Sequence, residues 1–247
     1  MPSYIGVGNL YGRKYGTKQA RLPLGNCAQL DTDAQLTEND VPDYTRLGGG
    51  LADKFVRVKS ATAQVKLLNI TPENWALAMG GTVTSVAAGT VPDEPQVGYQ
   101  GGLVRLEHPP TSVASVASAA SGGTTYDEGT DYTVTASGIQ IAADGAIPDA
   151  TNDDTPNLFI TYDHGKYSRI EGLTQLDTEL ELFFEGLNEA ASGKPALVDL
   201  WRVFIRPADK MTLISDKPIE LSFKWEMLRD PTKGPGLSGF LRADLVA

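Results

Sequence analysis

The nine residues Ile219-Glu220-Leu221-Ser222-Phe223-Lys224-Trp225-Glu226-Met227 alternate apolar and polar without a break. Successive side chains of a β-strand point to opposite faces, so Ile219, Leu221, Phe223, Trp225 and Met227 share one face. Glu220, Ser222, Lys224 and Glu226 share the other, which makes this a half-buried strand. The same period recurs on both sides of it. In 176–185, Leu176, Leu180, Leu182 and Phe184 oppose Asp177, Glu179 and Glu181, with Phe183 interrupting the polar face. Residues 198–205 are mostly apolar, and 240–246 read as a last strand. Near the N-terminus, 26–36 set Ala28, Leu30, Thr32, Ala34 and Leu36 against Gln29, Asp31, Asp33 and Gln35. In 54–70, Ala61, Ala63, Val65 and Leu67 oppose Thr62, Gln64 and Lys66, and the length of this run predicts a bend.

One helix interrupts the strands. Thr71 is a capping residue, Pro72 suits the first helical position, and Gly80-Gly81 ends the run. Trp75, Leu77, Ala78 and Met79 supply its apolar face over about three turns. Residues 37–53 carry Pro42, Gly48, Gly49, Gly50 and charges of both signs, and read as a long loop. Such loops are either surface connections or segments that order against a neighbour. Residues 1–24 are rich in Gly and Tyr without periodicity and read as an extended arm. Gly6, Gly8 and Gly12 miss the dinucleotide-binding spacing by one residue, and no buried strand precedes them.

Charge divides the chain. The 247 residues carry a net −10, and residues 82–167 hold 11 acidic and 2 basic side chains, a net of −9. The remainder holds 20 and 19, a net of −1. Within 82–167 the composition turns to Ala, Ser, Thr, Gly and Asp. Short β-prone runs at 103–106, 113–116, 132–134, 139–141 and 158–162 are separated by turn clusters, the pattern of a small β-sandwich. The predicted organisation is mainly β: a discontinuous core domain, 1–81 with 168–247, and an inserted β domain, 82–167.

Chemistry is hard to place. Cys27 is the sole cysteine, so an intramolecular disulfide and a cysteine-built metal cluster are excluded. His108 and His164 stand beside Pro109 and Gly165 and read as turn residues. Asp31 with Asp33, and Glu179 with Glu181, read as wet strand faces, and Asp153-Asp154 as a solvated turn. No P-loop, nucleophile elbow or zinc-protease motif occurs, which predicts a non-enzyme without metal or cofactor. The acidic balance argues against nonspecific nucleic-acid binding. No apolar run approaches the roughly 20 residues of a membrane span. The N-terminal residues lack the pattern of a secretion signal, so the protein is expected to stay in the compartment that makes it.

Several parts together resemble the major tail tube proteins of long-tailed, siphovirus-type bacteriophages. They are Leu24-Gly25-Asn26 opening a long strand, the Gly-rich loop through Asp43-Tyr44, and Val65-Lys66-Leu67-Leu68-Asn69-Ile70. The last runs into Thr71-Pro72-Glu73-Asn74-Trp75-Ala76-Leu77-Ala78-Met79-Gly80-Gly81, and Glu226-Met227-Leu228-Arg229-Asp230-Pro231-Thr232-Lys233 also matches. The insertion resembles the immunoglobulin-like decorations of such tails through Thr125-Tyr126-Asp127-Glu128-Gly129-Thr130-Asp131-Tyr132 and Ile139-Gln140-Ile141. The resemblance implies a tail-tube-type β-sandwich or barrel and homo-hexameric rings stacked into a tube. The partners it implies are a tape measure protein in the lumen before ejection, tail terminator and tail tip proteins at the ends, and DNA that passes without specific binding. The location it implies is the virion tail, assembled in the host bacterial cytoplasm.

On this resemblance Asp177, Glu179 and Glu181 line the channel as a negative wall, provided that residues such as Lys66 and Lys224 do not pair with them. Asp43, Tyr44, Arg46, Gly48, Gly49 and Gly50 form the ring-stacking loop. The rival expectations are a tube subunit of a contractile tail or type VI secretion-like system, a β-rich adhesive or carbohydrate-binding protein, and a hydrolase whose site carries no recognisable motif.

Overall fold

A computed structural model describes residues 3–208 and 210–246. The chain is mainly β, and it divides into two compact units, Met1–Val83 with Ile170–Ala247, and Thr84–Arg169.

In chain order the first unit contributes β1 (Gly6–Lys14), β2 (Leu22–Pro23), β3 (Cys27–Pro42), β4 (Leu51–Leu67) and helix α1 (Pro72–Met79). β5 (Thr82–Val86) leads out of it. The second unit holds β6 (Gly89–Gln96), β7 (Leu103–Arg105), β8 (Pro110–Ala117), β9 (Thr125–Tyr126), β10 (Tyr132–Thr135), β11 (Gly138–Ile141) and β12 (Leu158–His164). β13 (Tyr167–Glu171) pairs with β5 and leads back. The first unit is completed by β14 (Glu179–Asn188), β15 (Lys194–Phe204), β16 (Leu221–Met227) and β17 (Leu241–Leu245).

Eight strands of the first unit form one antiparallel sheet, ordered β2-β1-β14-β15-β16-β4-β3, with β17 also on β15. Its core is the apolar face that the alternation marked. Leu221, Phe223, Trp225 and Met227 of β16 are buried with Ala61, Ala63, Val65 and Leu67 of β4, and Leu10, Leu182, Leu200 and Val203 join them. Burial of these side chains, at roughly 25 cal/mol per Å² of apolar surface, is the main force holding the unit together.

Three sequence expectations change here. The extended arm expected at 1–24 is, over 6–14, a strand of the sheet: β1 pairs with β14 from Gly6↔Asn188 to Lys14↔Leu180, and Leu10 is completely buried. The glycines that hid the alternation are what let the strands close up: a Cβ on Gly8 would stand 2.2 Å from the Glu185 carbonyl oxygen. Residues 37–53 are not a long loop. β3 and β4 continue as a hairpin whose connection is only 43–50, where Gly48, Gly49 and Gly50 take positive φ. The β3–β4 pairing carries register shifts, one of them between Gln35 and Leu36. Helix α1 has eight residues, shorter than expected. Thr71 accepts the Asn74 amide at its start, and Gly80 closes it in the left-handed region. Its buried residues are Asn74, Ala76 and Ala78; Trp75, Leu77 and Met79 are only partly buried. Asn74 is buried because its side-chain amide donates to the carbonyls of Leu24 and Asn69, at 2.8 and 3.0 Å.

The second unit is a small sandwich of two sheets, β6-β12-β8-β9 and β10-β11-β7. Val116, Leu158, Ile160 and Tyr162 from one sheet and Val104, Ile139 and Ile141 from the other form its core. β6 was not legible because it contains Pro92 and Pro95, and it lies where prolines are tolerated, on a sheet edge.

Candidate functional site

The acidic residues singled out on the polar face of β14 lie in a network of opposite charges. Arg13 of β1, opposite Glu181 in register, donates to its Oε2 from Nε and Nη2 at 2.8 and 2.6 Å. Arg21 donates to the other oxygen at 2.5 Å and lies 3.9 Å from Asp199 of β15. Asp199 accepts Arg242 of β17 at 2.8 Å. Glu179 accepts a two-pronged guanidinium, Arg202 Nε and Nη2, at 2.8 and 2.7 Å. This bond holds the Arg202 guanidinium above its ordinary pKa. Aromatic rings underlie the cations: Arg21 stands over Phe183, Arg202 over Tyr15, and both Lys233 and Arg242 over Trp201. Tyr15 donates to Asp230, which Lys233 approaches at 3.9 Å.

The expected run of three unpaired carboxylates on one strand is therefore corrected. Asp177 precedes β14 and is exposed, and it is not on the strand with the other two. Glu179 and Glu181 are neutralised within the subunit, by arginines rather than by Lys66 or Lys224. The cations were missed because each comes from a different segment. The one sequence signal was Tyr11-Gly12-Arg13-Lys14-Tyr15, where period-2 alternation puts Tyr11, Arg13 and Tyr15 on one face.

The ring-stacking candidates all sit at the tip of the β3–β4 hairpin. Asp43 organises the turn by accepting the Thr45 amide at 2.8 Å and its hydroxyl at 2.5 Å, bonds that hold its carboxyl below the usual range. Arg46 reaches the same carboxylate at 3.9 Å, while Tyr44 projects outward, 88% exposed. Below the tip, β3 and β4 expose Leu36, Val41, Leu51, Phe55, Val56 and Val58. Leu36 pairs with Val58 and Glu38 with Val56, so Leu36, Val56 and Val58 continue the core face of the sheet beyond its core, while Val41 and Phe55 lie on the opposite face.

His108 and His164 are not two separate turn residues. His164 ends β12 and is buried, and the two rings stack at 4.1 Å with planes 9° apart. Arg169 donates to the Tyr167 hydroxyl at 2.9 Å, which lies 2.8 Å from His108 Nδ1. Tyr162 donates to Glu94 at 2.5 Å, and burial first, then that carboxylate, push its phenol pKa up. Each of these groups is engaged by a neighbour in the second unit's own packing. Among the described residues no three His, Cys, Asp or Glu side chains are placed to hold a metal ion, and no helix is long and apolar enough to cross a membrane.

The sequence profile of a family described as "Protein of unknown function UCP028589" matches residues 3–244, and the chain belongs to that family. No curated protein matches the sequence.

Proposed function

We propose that the chain is a structural subunit that assembles through its sheet into rings and a tube of the phage tail type, with DNA passing along the channel. The observation that supports this best is the β3–β4 hairpin. It runs past the core with apolar side chains exposed on the continuation of the core face, and β3 forms one edge of the sheet. An isolated subunit leaves that edge and those side chains to water, the arrangement that monomeric β-proteins avoid. A neighbouring copy that pairs the edge and covers the hairpin removes both costs. Contact between unlike surfaces of identical subunits gives rings where the rotation closes and open stacks where it does not. The apolar stretch of the hairpin and its polar tip, Asp43 to Gly50, serve these two contacts in this reading. Sedimentation of the purified protein across a concentration series tests it. The expected result is growth into large assemblies, and a monomer at every concentration would contradict it.

A further inference from the structure

The outer face built by β1, β14, β15 and β17 has the ingredients of a nucleic-acid platform, arginines interleaved with aromatic rings. Here, however, every guanidinium is already held. Arg13 and Arg21 share the two oxygens of Glu181, Arg202 is clamped on Glu179, and Arg242 lies between Asp199 and Asp244, so four carboxylates match the four arginines. The carboxylates lie beneath the cations. The side chains of Glu181 and Asp199 are 12% and 8% exposed, against 25%, 35% and 57% for Arg13, Arg21 and Arg242. Polyanion binding draws its strength from cations that neutralise phosphates and release the condensed counterions. An arginine whose counter-ion is a fixed carboxylate of its own chain brings no net charge to a phosphate.

We propose that this face is a DNA-facing surface whose arginines are masked by Glu179, Glu181 and Asp199, so that duplex DNA slides over it without being held. That DNA is the polyanion rests on the tube reading; the masking is a property of the single subunit. The carboxylates thus act by cancelling charge, not by building a negative wall. Glu179→Gln, Glu181→Gln and Asp199→Asn keep the shape of each side chain and remove its charge, leaving the arginines in place.

The test is fluorescence anisotropy of a short labelled duplex with the full-length protein at about 50 mM salt, where phosphate contacts are strong. The wild type is expected to bind negligibly. The E179Q/E181Q/D199N protein is expected to bind at least about tenfold more tightly, with a salt dependence steeper by about three counterions. Adding R13Q, R21Q, R202Q and R242Q should abolish most of the gain, because the gain belongs to the freed arginines. E181Q alone releases two arginines and carries the same test, with a smaller gain, should the triple variant fail to fold by circular dichroism. Wild-type binding as tight as the variant's, a folded variant with no gain, or a gain that survives loss of the arginines overturns the masking. Masking that holds in a protein found not to form tubes removes DNA as the partner and leaves the surface property standing.

Discussion

Asp131 illustrates how a single side chain holds a loop in this protein. Its carboxylate accepts the amides of Ala146 and Asp127, at 2.8 and 2.9 Å, tying together two turns of the inserted unit. Those two bonds, the Ala146 one first, hold its pKa below the ordinary value. A carboxyl whose folded pKa is depressed stabilises the fold fully above its unfolded value, about 3.9. That stabilisation is lost as the pH falls through the folded value. The neutral amide of Asp131→Asn presents one acceptor and a donor where two donors converge. The variant is expected to melt several degrees lower than wild type near neutral pH, with the gap closing below about pH 4. Calorimetry of the full-length protein at both pH values measures this, and a gap that does not change with pH would contradict the role given to the charge.

At the scale of elements, the β3–β4 hairpin is the feature the assembly reading depends on. Val56 and Val58 lie on one face of it, two residues apart, and both are half exposed. Val56→Asp with Val58→Asp should leave the unit folded, because neither side chain belongs to its core. Assembly should fall by at least about tenfold, since buried unpaired carboxylates are costly at any interface. Equal assembly of the variant and wild type by light scattering would show that the hairpin is not the contact. The same elements show what was legible beforehand. β16, the inner half of β4 and the caps of α1 could be read because one face is buried and the period is unbroken. The outer hairpin could not, because both of its faces are wet and alternation has no burial to report. β1 was hidden by glycines needed for close strand approach, and β6 by prolines allowed on an edge. The charge network was invisible for a different reason. Arg13, Arg21, Arg202 and Arg242 come from separate segments, and only the register of β1, β14, β15 and β17 brings them to the carboxylates.

At the scale of the whole chain, the two compact units have separate cores and a sharp difference in charge. Strands β5 and β13 pair where the chain leaves and returns, so the ends of the inserted unit lie side by side. Replacing 84–169 by a short Gly/Ser linker should therefore leave a folded core that still assembles, and a single loss of all structure in circular dichroism would show that the cores are interdependent. The central claim, that the chain builds a tube, is tested most directly by electron microscopy of the purified, concentrated protein. Hollow filaments of stacked rings with an open axial channel and six subunits per ring are expected. Discrete monomers, or closed particles without a channel, would contradict it.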